Sequence, residues 1–500
     1  MDKYTIGFDI GSSSVKATLL NLETGKSEAS AFSPKNEMPI TALRAGWAEQ
    51  DPNMWWENLK LATSEMLSVS HIKRDQIIAI GISYQMHGLV LVDKNKQLLR
   101  SSIIWCDSRA VEIGREAFTA IGAEKCLSSL MNSPGNFTAS KLRWVKMNEP
   151  KIFDKIDKFM LPGDYIALRL TGDAVTTLSG LSEGILWDFK TNSPAAFLLE
   201  HYGIHQELIP KIVPTFGEQG RLSQSAAQEL GLAKGTPVSY RAGDQPNNAL
   251  SLNVMEPGEI AATAGTSGVV YGVSDTLKYD PASRVNSFAH VNHKADARHI
   301  GVLLCINGTG ISNSWMRRIT GQQTIGYAQL DQLALITPSG AEGVICIPFG
   351  NGAERMLENR DIGAHLFNIQ FNTHSQAHLI RAVHEGIAFS FNYGINIMQE
   401  MEMKPKVMRA GLANLFLGPI FRETLAQVAD VTIELYNTDG SQGAARGAAM
   451  GAKYFTSREE AFKGLERLKI IEPQQSQKSK YQDLYQHWSS ALHHILQLKG

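Results

Sequence analysis

The sequence predicts an α/β protein of two similar halves facing each other across a cleft. Length is the first reason: five hundred residues exceed what one compact core usually organises, so two or three domains are expected. The second is that apolar, β-branched runs alternate with helix-spaced ones along most of the chain. The third is a glycine-and-hydroxyl hairpin that occurs twice, in YTIGFDIGSSSVKATLL from Tyr4 and in IAATAGTSGVVYGV from Ile260. One copy near the start of each half makes a weak internal repeat.

In the first copy, Tyr4, Ile6, Phe8 and Ile10 form a strand, Gly11-Ser12-Ser13-Ser14 a tight turn, and Val15, Ala17 and Leu19 a second strand. Small turn residues let backbone N–H groups approach an anion. Lys16 offers a counter-charge, and Asp9 at the strand end suits a hydrated divalent cation. The plain alternative is an ordinary hairpin whose Asp satisfies a turn. The second copy, Gly265-Thr266-Ser267-Gly268, favours the phosphate reading.

Asp51 and Pro52 read as N-cap and first residue of a helix with Trp55, Leu59, Ala62 and Met66 on its apolar face. Ile77 to Ser83 reads as a buried strand leading into Gln85-Met86-His87-Gly88, a turn that suits ligand contact. Ile103 to Trp105 is a further strand ending in Asp107 and Arg109, with Asp107 placed either toward a ligand or as the cap of a helix from Ala110. Leu142 and Val145 mark a helix that Pro150 stops. Pro237 to Tyr240 is a strand entering Arg241-Ala242-Gly243-Asp244-Gln245, with Asp244 in a loop before a small-residue helix from Ala249. The halves divide at Asn253 to Gly258, giving domains 1–252 and 253–500.

In the second half, Ser375 to Met401 carries the longest helical pattern. Val407-Met408 is a short strand before Gly411 to Asn414, Val431 to Leu435 another, and Gly440 to Phe455 a small-residue helix built for close packing. The tail from Tyr481 reads as a docked amphipathic helix through Leu484, Trp488, Leu492 and Ile495.

Composition narrows the class. The balance of 48 basic against 49 acidic residues argues against a charge-driven nucleic-acid or membrane-surface protein. Cys106, Cys126, Cys305 and Cys346 lie too far apart for a metal motif or a disulfide framework. Reduced thiols, no apolar span of membrane length and no signal-like opening lead to an expectation of a cytoplasmic protein.

Asp244 is the residue best placed for chemistry. A carboxylate there can take the proton of a substrate hydroxyl as its oxygen attacks a γ-phosphate. Met86, His87 and Asp107 would sort the hydroxyls of a polyol or sugar, and Gly411 to Asn414 suits a nucleotide base and ribose. A scaffold protein has no need of a base at Asp244. A hydrolase using Ser13 or Ser267 lacks a Ser-His-Asp arrangement.

GFDIGSSSVKATLL, WAEQDP, GISYQMHGLVLVD, IIWCDSR, FTASKLRWVKMNEP, AGDQ and AGTSG, in that order, resemble the FGGY carbohydrate kinases. The likeness runs from Thr5 to about Phe455, and Gln85-Met86-His87-Gly88 with the Trp105-to-Asp107 strand end is most like xylulokinases. The resemblance implies a two-domain actin-like ATPase (ribonuclease H-like) fold closing over MgATP, with transfer of the γ-phosphate to the 5-hydroxyl of D-xylulose. Another ketose or polyol, such as ribulose or ribitol, and a non-catalytic nucleotide-binding protein are the alternatives.

By the same resemblance Asp244 is the catalytic base and Asp9 organises Mg²⁺. Met86 and His87, with Asp107 and Gln245, contact the sugar. Gly11, Ser12, Ser13, Lys16, Gly265, Thr266, Ser267, Gly411 and Asn414 bind ATP. A homodimer is left open. The chain departs from the family's Gly-Gly-Gly at Arg409-Ala410-Gly411, from its Gly-Glu-Arg-Thr-Pro at Gly352 to Met356, and from a usual glycine at Asn368. Side chains at Arg409 and Ala410 are expected to crowd the nucleotide or contact it differently.

Overall fold

A computed structural model describes residues 2–321 and 323–498. The first sheet contains β1 (Tyr4–Ile10), β2 (Val15–Asn21), β3 (Ser27–Ser33), β4 (Ile77–Tyr84) and β5 (Val238–Gly243), in the order β5-β4-β1-β2-β3. β1, β2 and β3 are antiparallel neighbours, and β4 and β5 add in parallel. The second sheet contains β6 (Ile260–Ala264), β7 (Gly268–Ser274), β8 (Asn286–Ala289), β9 (Ile300–Ile306), β10 (Val407–Gly411), β11 (Thr432–Tyr436) and β12 (Arg467–Ile471). Its order is β8-β9-β7-β6-β10-β11-β12. Without its outer strands it reads β9-β7-β6-β10-β11, three antiparallel strands followed by two parallel ones. That is the winding of the first sheet, so the repeated hairpin marks a repeated sheet.

α1 (Pro52–Val69) starts as its sequence predicts: Asp51 accepts from the Asn53 N–H, and Trp55, Leu59, Ala62 and Met66 are buried. The other helices that frame the site are α2 (Thr138–Asn148), α3 (Asp244–Ser251), α4 (Gly310–Ile319), α5 (Tyr327–Leu335), α6 (Gln376–Glu400), α7 (Pro419–Ala429), α8 (Gly440–Gly451) and α9 (Lys478–Leu498). α9 docks through Tyr481, Trp488, Leu492 and Ile495, and the Trp488 indole donates to the Cys346 carbonyl at 2.8 Å.

Two local expectations are corrected. The helix over Val111–Ile121 begins at Ala110 with no side-chain cap, because the Asp107 carboxylate is used elsewhere. α2 ends at Asn148, before Pro150, as its sequence predicts, and Pro150 then opens a further short helix, Pro150–Phe153, where its missing N–H costs nothing. β5 continues to Gly243, so Asp244 is the first residue of α3 rather than part of a loop.

α8 belongs to the second half in sequence and to the first sheet in space. Thr5 and Ser239 donate to the Ala445 and Ala448 carbonyls at 2.8 and 2.7 Å, and the Thr18 and Ser441 hydroxyls meet at 2.7 Å. The approach needs bare backbone on the sheet. A Cβ at Gly7 would lie 1.9 Å from the Ser441 carbonyl oxygen, and one at Gly81 2.0 Å from that of Ala444.

Candidate active site

The ends of β1, β5 and the N-terminus of α8 bring three carboxylates together. Asp9 sits in β1 opposite Lys16 and beside Ser83 of β4. A Cβ on Gly440 would meet its Oδ2 at 2.3 Å, so α8 begins directly over Asp9. Burial raises the Asp9 carboxyl; the Ser83 hydrogen bond opposes this and the charge of Asp439 adds to it. Asp439 caps α8, accepting from Gln442 N at 3.0 Å and from the Ser441 hydroxyl at 2.7 Å. Burial works to raise Asp439 too, but Lys16 and the capping bonds leave it lowered. Lys16 is therefore paired with Asp439. The sequence reading missed Asp439; its signal was an Asp-Gly-Ser start to a small-residue helix.

Asp244 completes the group. Burial, then the charge of Asp9, pushes its carboxyl up to about 7, against hydrogen bonds from Gln245 and the helix backbone. Gly243 before it is crowded: a Cβ there would lie 2.4 Å from Glu183 Oε2 and 2.6 Å from Met86 Cγ. Met86 and Glu183 are thus packed against the backbone that carries Asp244. Burial and the Asp244 charge hold the Glu183 carboxyl well above the usual carboxylate range.

His87 stands next to this group at φ 63°, a left-handed conformation uncommon for a residue with a Cβ. Two bonds hold it there. Lys141 of α2 donates to the His87 and Ile104 carbonyls, each at 2.9 Å, and His87 Nδ1 lies 2.9 Å from the Glu183 carbonyl. Burial, then the Lys141 charge, lowers the imidazole to about 3, so the ring is neutral. A neutral ring whose Nδ1–H faces a carbonyl leaves Nε2 as an acceptor. Phe137 and Phe288 flank the ring at centroid distances of 4.8 and 5.4 Å. Neither Glu183 nor Lys141 was picked out from sequence.

Asp107 is placed differently from the expectation of a hydroxyl-sorting group. It is fully buried, and its carboxylate accepts from Ala48 N at 2.6 Å, from Arg109 N at 2.8 Å, and from the Arg109 guanidinium. Arg109 in turn packs on Trp47, 3.9 Å from the ring centroid, and pairs with Glu49. Asp107 holds Arg109 and the Ala48 backbone in place.

The two turns share a polarity. In the first, the Ser12, Ser13 and Ser14 carbonyls accept from Gln50, Met38 N and Gly11 N. In the second, the Gly265 and Thr266 carbonyls accept from Gly310 N and Ile311 N at the start of α4. With the Ser12, Ser13, Gly265 and Thr266 carbonyls turned into the protein, each turn has the polarity that suits an anion, while Gly11 N is taken by the Ser14 carbonyl within the first turn. Beside the second turn is a cavity of about 500 Å³ lined by Gly265, Thr266, Ile311, Asn313, Tyr327, Asp331, Asn414, Leu415 and Leu417, among others. Asn414, at φ 53°, faces Gly265 across it. Gly411 closes β10 with open space where a Cβ would be, only the Thr438 carbonyl lying within 4 Å, at 3.7 Å.

The departures at 409–411 leave this cavity clear, correcting the expectation of crowding. Arg409 binds Glu259, Glu434 and the Asn253 carbonyl, and Ala410 is buried in the core of the second half. Asn368 stands at φ 62°, a conformation that glycine and asparagine both tolerate. Glu354 accepts from the Asn307 and Gly308 N–H groups.

The profile of the N-terminal domain of the FGGY family of carbohydrate kinases matches residues 4–251. Over 448 residues the chain is 30% identical to a xylulose kinase from Klebsiella pneumoniae, covering 89% of this chain and 88% of that one. The chain belongs to the FGGY family of carbohydrate kinases. It is also 29% identical to a xylulose kinase from Bacillus subtilis, over 99% of this chain and 98% of that one. The crystal structure of a xylulose kinase from Rhodospirillum rubrum matches it with a TM-score of 0.87 at 25% identity, over 99% of this chain and 100% of that one. As an FGGY kinase the chain has the two-domain actin-like ATPase fold and is an ATP-dependent carbohydrate kinase. Among the described residues, no helix is long and apolar enough to cross a membrane.

Proposed function

We propose that this FGGY kinase phosphorylates the 5-hydroxyl of D-xylulose, with Asp244 as general base. The observation that carries the reading is the Asp244 carboxyl, fixed at the first residue of α3, raised to about 7, and set beside the Met86–His87 turn. A base near the working pH combines a useful ionised fraction with enough basicity to take a hydroxyl proton. His87 Nε2 accepts from a sugar hydroxyl, Met86 shapes the apolar side, and Gln245 holds the Asp244 carboxylate by its hydrogen bond. Gly11, Ser12 and Ser13 on one side, and Gly265, Thr266 and Ser267 on the other, face the phosphates. Asn414 borders the adenosine cavity, and Gly411 ends the strand that leads to it. The curated relatives named as xylulose kinases at 29–30% identity support the ketose. We place the division between the halves at residues 252 and 253.

Asp9 fits Mg²⁺. Among the described residues no cluster of three His, Cys, Asp or Glu forms a metal cage, and Mg²⁺ commonly binds through one or two carboxylates, waters and substrate phosphates. Burial first, then the charge of Asp439 on Asp9 and of Asp9 on Asp244, raises these carboxyls, and a cation would relieve both costs. Bound there, Mg²⁺ would neutralise charge on the transferred phosphate.

The test is an ADP-release assay with MgATP against D-xylulose, L-xylulose, D- and L-ribulose, ribitol, xylitol, glycerol and gluconate. Preference for D-xylulose supports the reading. Preference for another acceptor keeps the kinase and replaces the substrate.

A further inference from the structure

The nucleotide cavity contains a polar relay that the phosphate-binding turns do not need. His384 of α6 is fully buried and touches two groups that line the cavity: its Nε2 lies 2.9 Å from Asn313 Oδ1 of α4, and its Nδ1 3.2 Å from Asp331 Oδ1 of α5. Burial, then the Arg381 charge, lowers the imidazole to about 4, so it carries one N–H and serves one of the two oxygens at a time. With the hydrogen on Nε2 toward Asn313, Nδ1 has none to give the Asp331 oxygen. The Asp331 carboxylate then faces a lone pair on one side and the cavity on the other. It cannot retreat: it rests on Gly418, where a Cβ would lie 2.7 Å from Oδ2. Burial raises it to about 6, the Arg422 charge working against this, so it is mostly an ionised acceptor at neutral pH. The remaining lining near it includes Ile311 and Leu415, apolar surfaces that suit the faces of a base.

We infer that Asp331 is a base-selecting residue: its carboxylate accepts a hydrogen bond from the exocyclic amino group of adenine, and so disfavours purines with a keto oxygen at that position. This rests on the nucleotide reading above and adds which side chain reads the base. An ionised carboxylate attracts an amino group and repels a keto oxygen held at the same point. A hydrogen bond to a charged group corresponds to about 10- to 100-fold in affinity.

The experiment is calorimetric titration of the whole chain with ADP, IDP, GDP and the diphosphate of purine riboside, which has hydrogen in place of the amino group. Wild type is expected to bind ADP about 10- to 100-fold more tightly than the other three. D331N, whose amide can turn an N–H toward a keto oxygen, is expected to narrow the ADP-to-IDP ratio to within about threefold. The analogue series on wild type stands even if the variant does not fold. ADP binding with equal affinity for IDP and the purine riboside, or a D331N variant that keeps the full preference, overturns the inference alone. Failure of wild type to bind any of the four overturns the nucleotide reading and this inference together.

Discussion

At the residue scale, Asp244 is useful because it is unfavourably placed. Burial and the nearby Asp9 oppose its charge, which leaves the carboxyl near 7 instead of at the usual acidic value. On the proposed assignment the ionised form is the base, so activity rises as pH climbs through the raised pKa. The prediction is that kcat/KM, which reports the free enzyme, falls by about tenfold per pH unit below about 7. D244N should lower kcat by about 10²–10⁴-fold while sugar binding, read by calorimetry, is retained. A D244N variant with near-normal turnover would remove Asp244 from the role of base. The proposed role of His87 lies in binding instead. H87A should raise the sugar KM by about tenfold with the ATP KM unchanged, since it removes one acceptor from the acceptor site. An altered ATP KM with a normal sugar KM would place His87 outside the sugar site.

At the scale of elements, the contact between α8 and the first sheet sets the position of Asp9. Gly440, where the helix begins, leaves no room for a Cβ above the Asp9 carboxylate. Glycines at 7 and 81 let the helix backbone lie on the strands. G81A would drive a methyl into the Ala444 carbonyl, and such overpacking costs about 1–3 kcal/mol. The expected result is a lower urea midpoint together with lost activity, because the helix that lifts away also carries Asp439. The sequence made the helix legible, since a run of Gly, Ala and Ser at residues 440–451 is suited to close packing. It did not reveal the partner. Lys16 and Asp439 are 423 residues apart, and no local pattern links them. Glu183 and Lys141 escaped notice for the same reason: each acts through a carbonyl or backbone segment that only folding brings near. By contrast, the two hairpins and the turn at Met86–His87 were legible as local structure, because neighbours in sequence decide that geometry; Asp9 and Asp244 were placed only by their positions at strand ends.

At the scale of the molecule, two sheets of like winding are joined by α3 and by α8, one leaving each sheet. The second sheet could be inferred from the repeated hairpin; its edge strands, β8 and β12, could not, because nothing in the repeat calls for them. The chain-order halves and the packed halves differ by α8 and by the segment after it, where Ala461 and Phe462 pack with Tyr240 and Ala242 of β5. A fragment covering 1–252 lacks the α8 surface that covers β1, β4 and β5, and should therefore bind the dye ANS and unfold without a cooperative transition. Adding the 253–500 fragment should restore both cooperativity and kinase activity. A cooperative transition in the first fragment alone would show that the helix is dispensable for the sheet.

The same helix imposes an order on biosynthesis. Ribosomes release the strands of the first sheet early, whereas the residues that cover its face emerge after about two hundred more have been added, beyond Gly440. At roughly 5–20 residues per second this leaves the sheet uncovered for on the order of ten seconds or more. The nascent chain is then a natural client for a holding chaperone, and Asp9, under Gly440, reaches its final setting only when translation is nearly done.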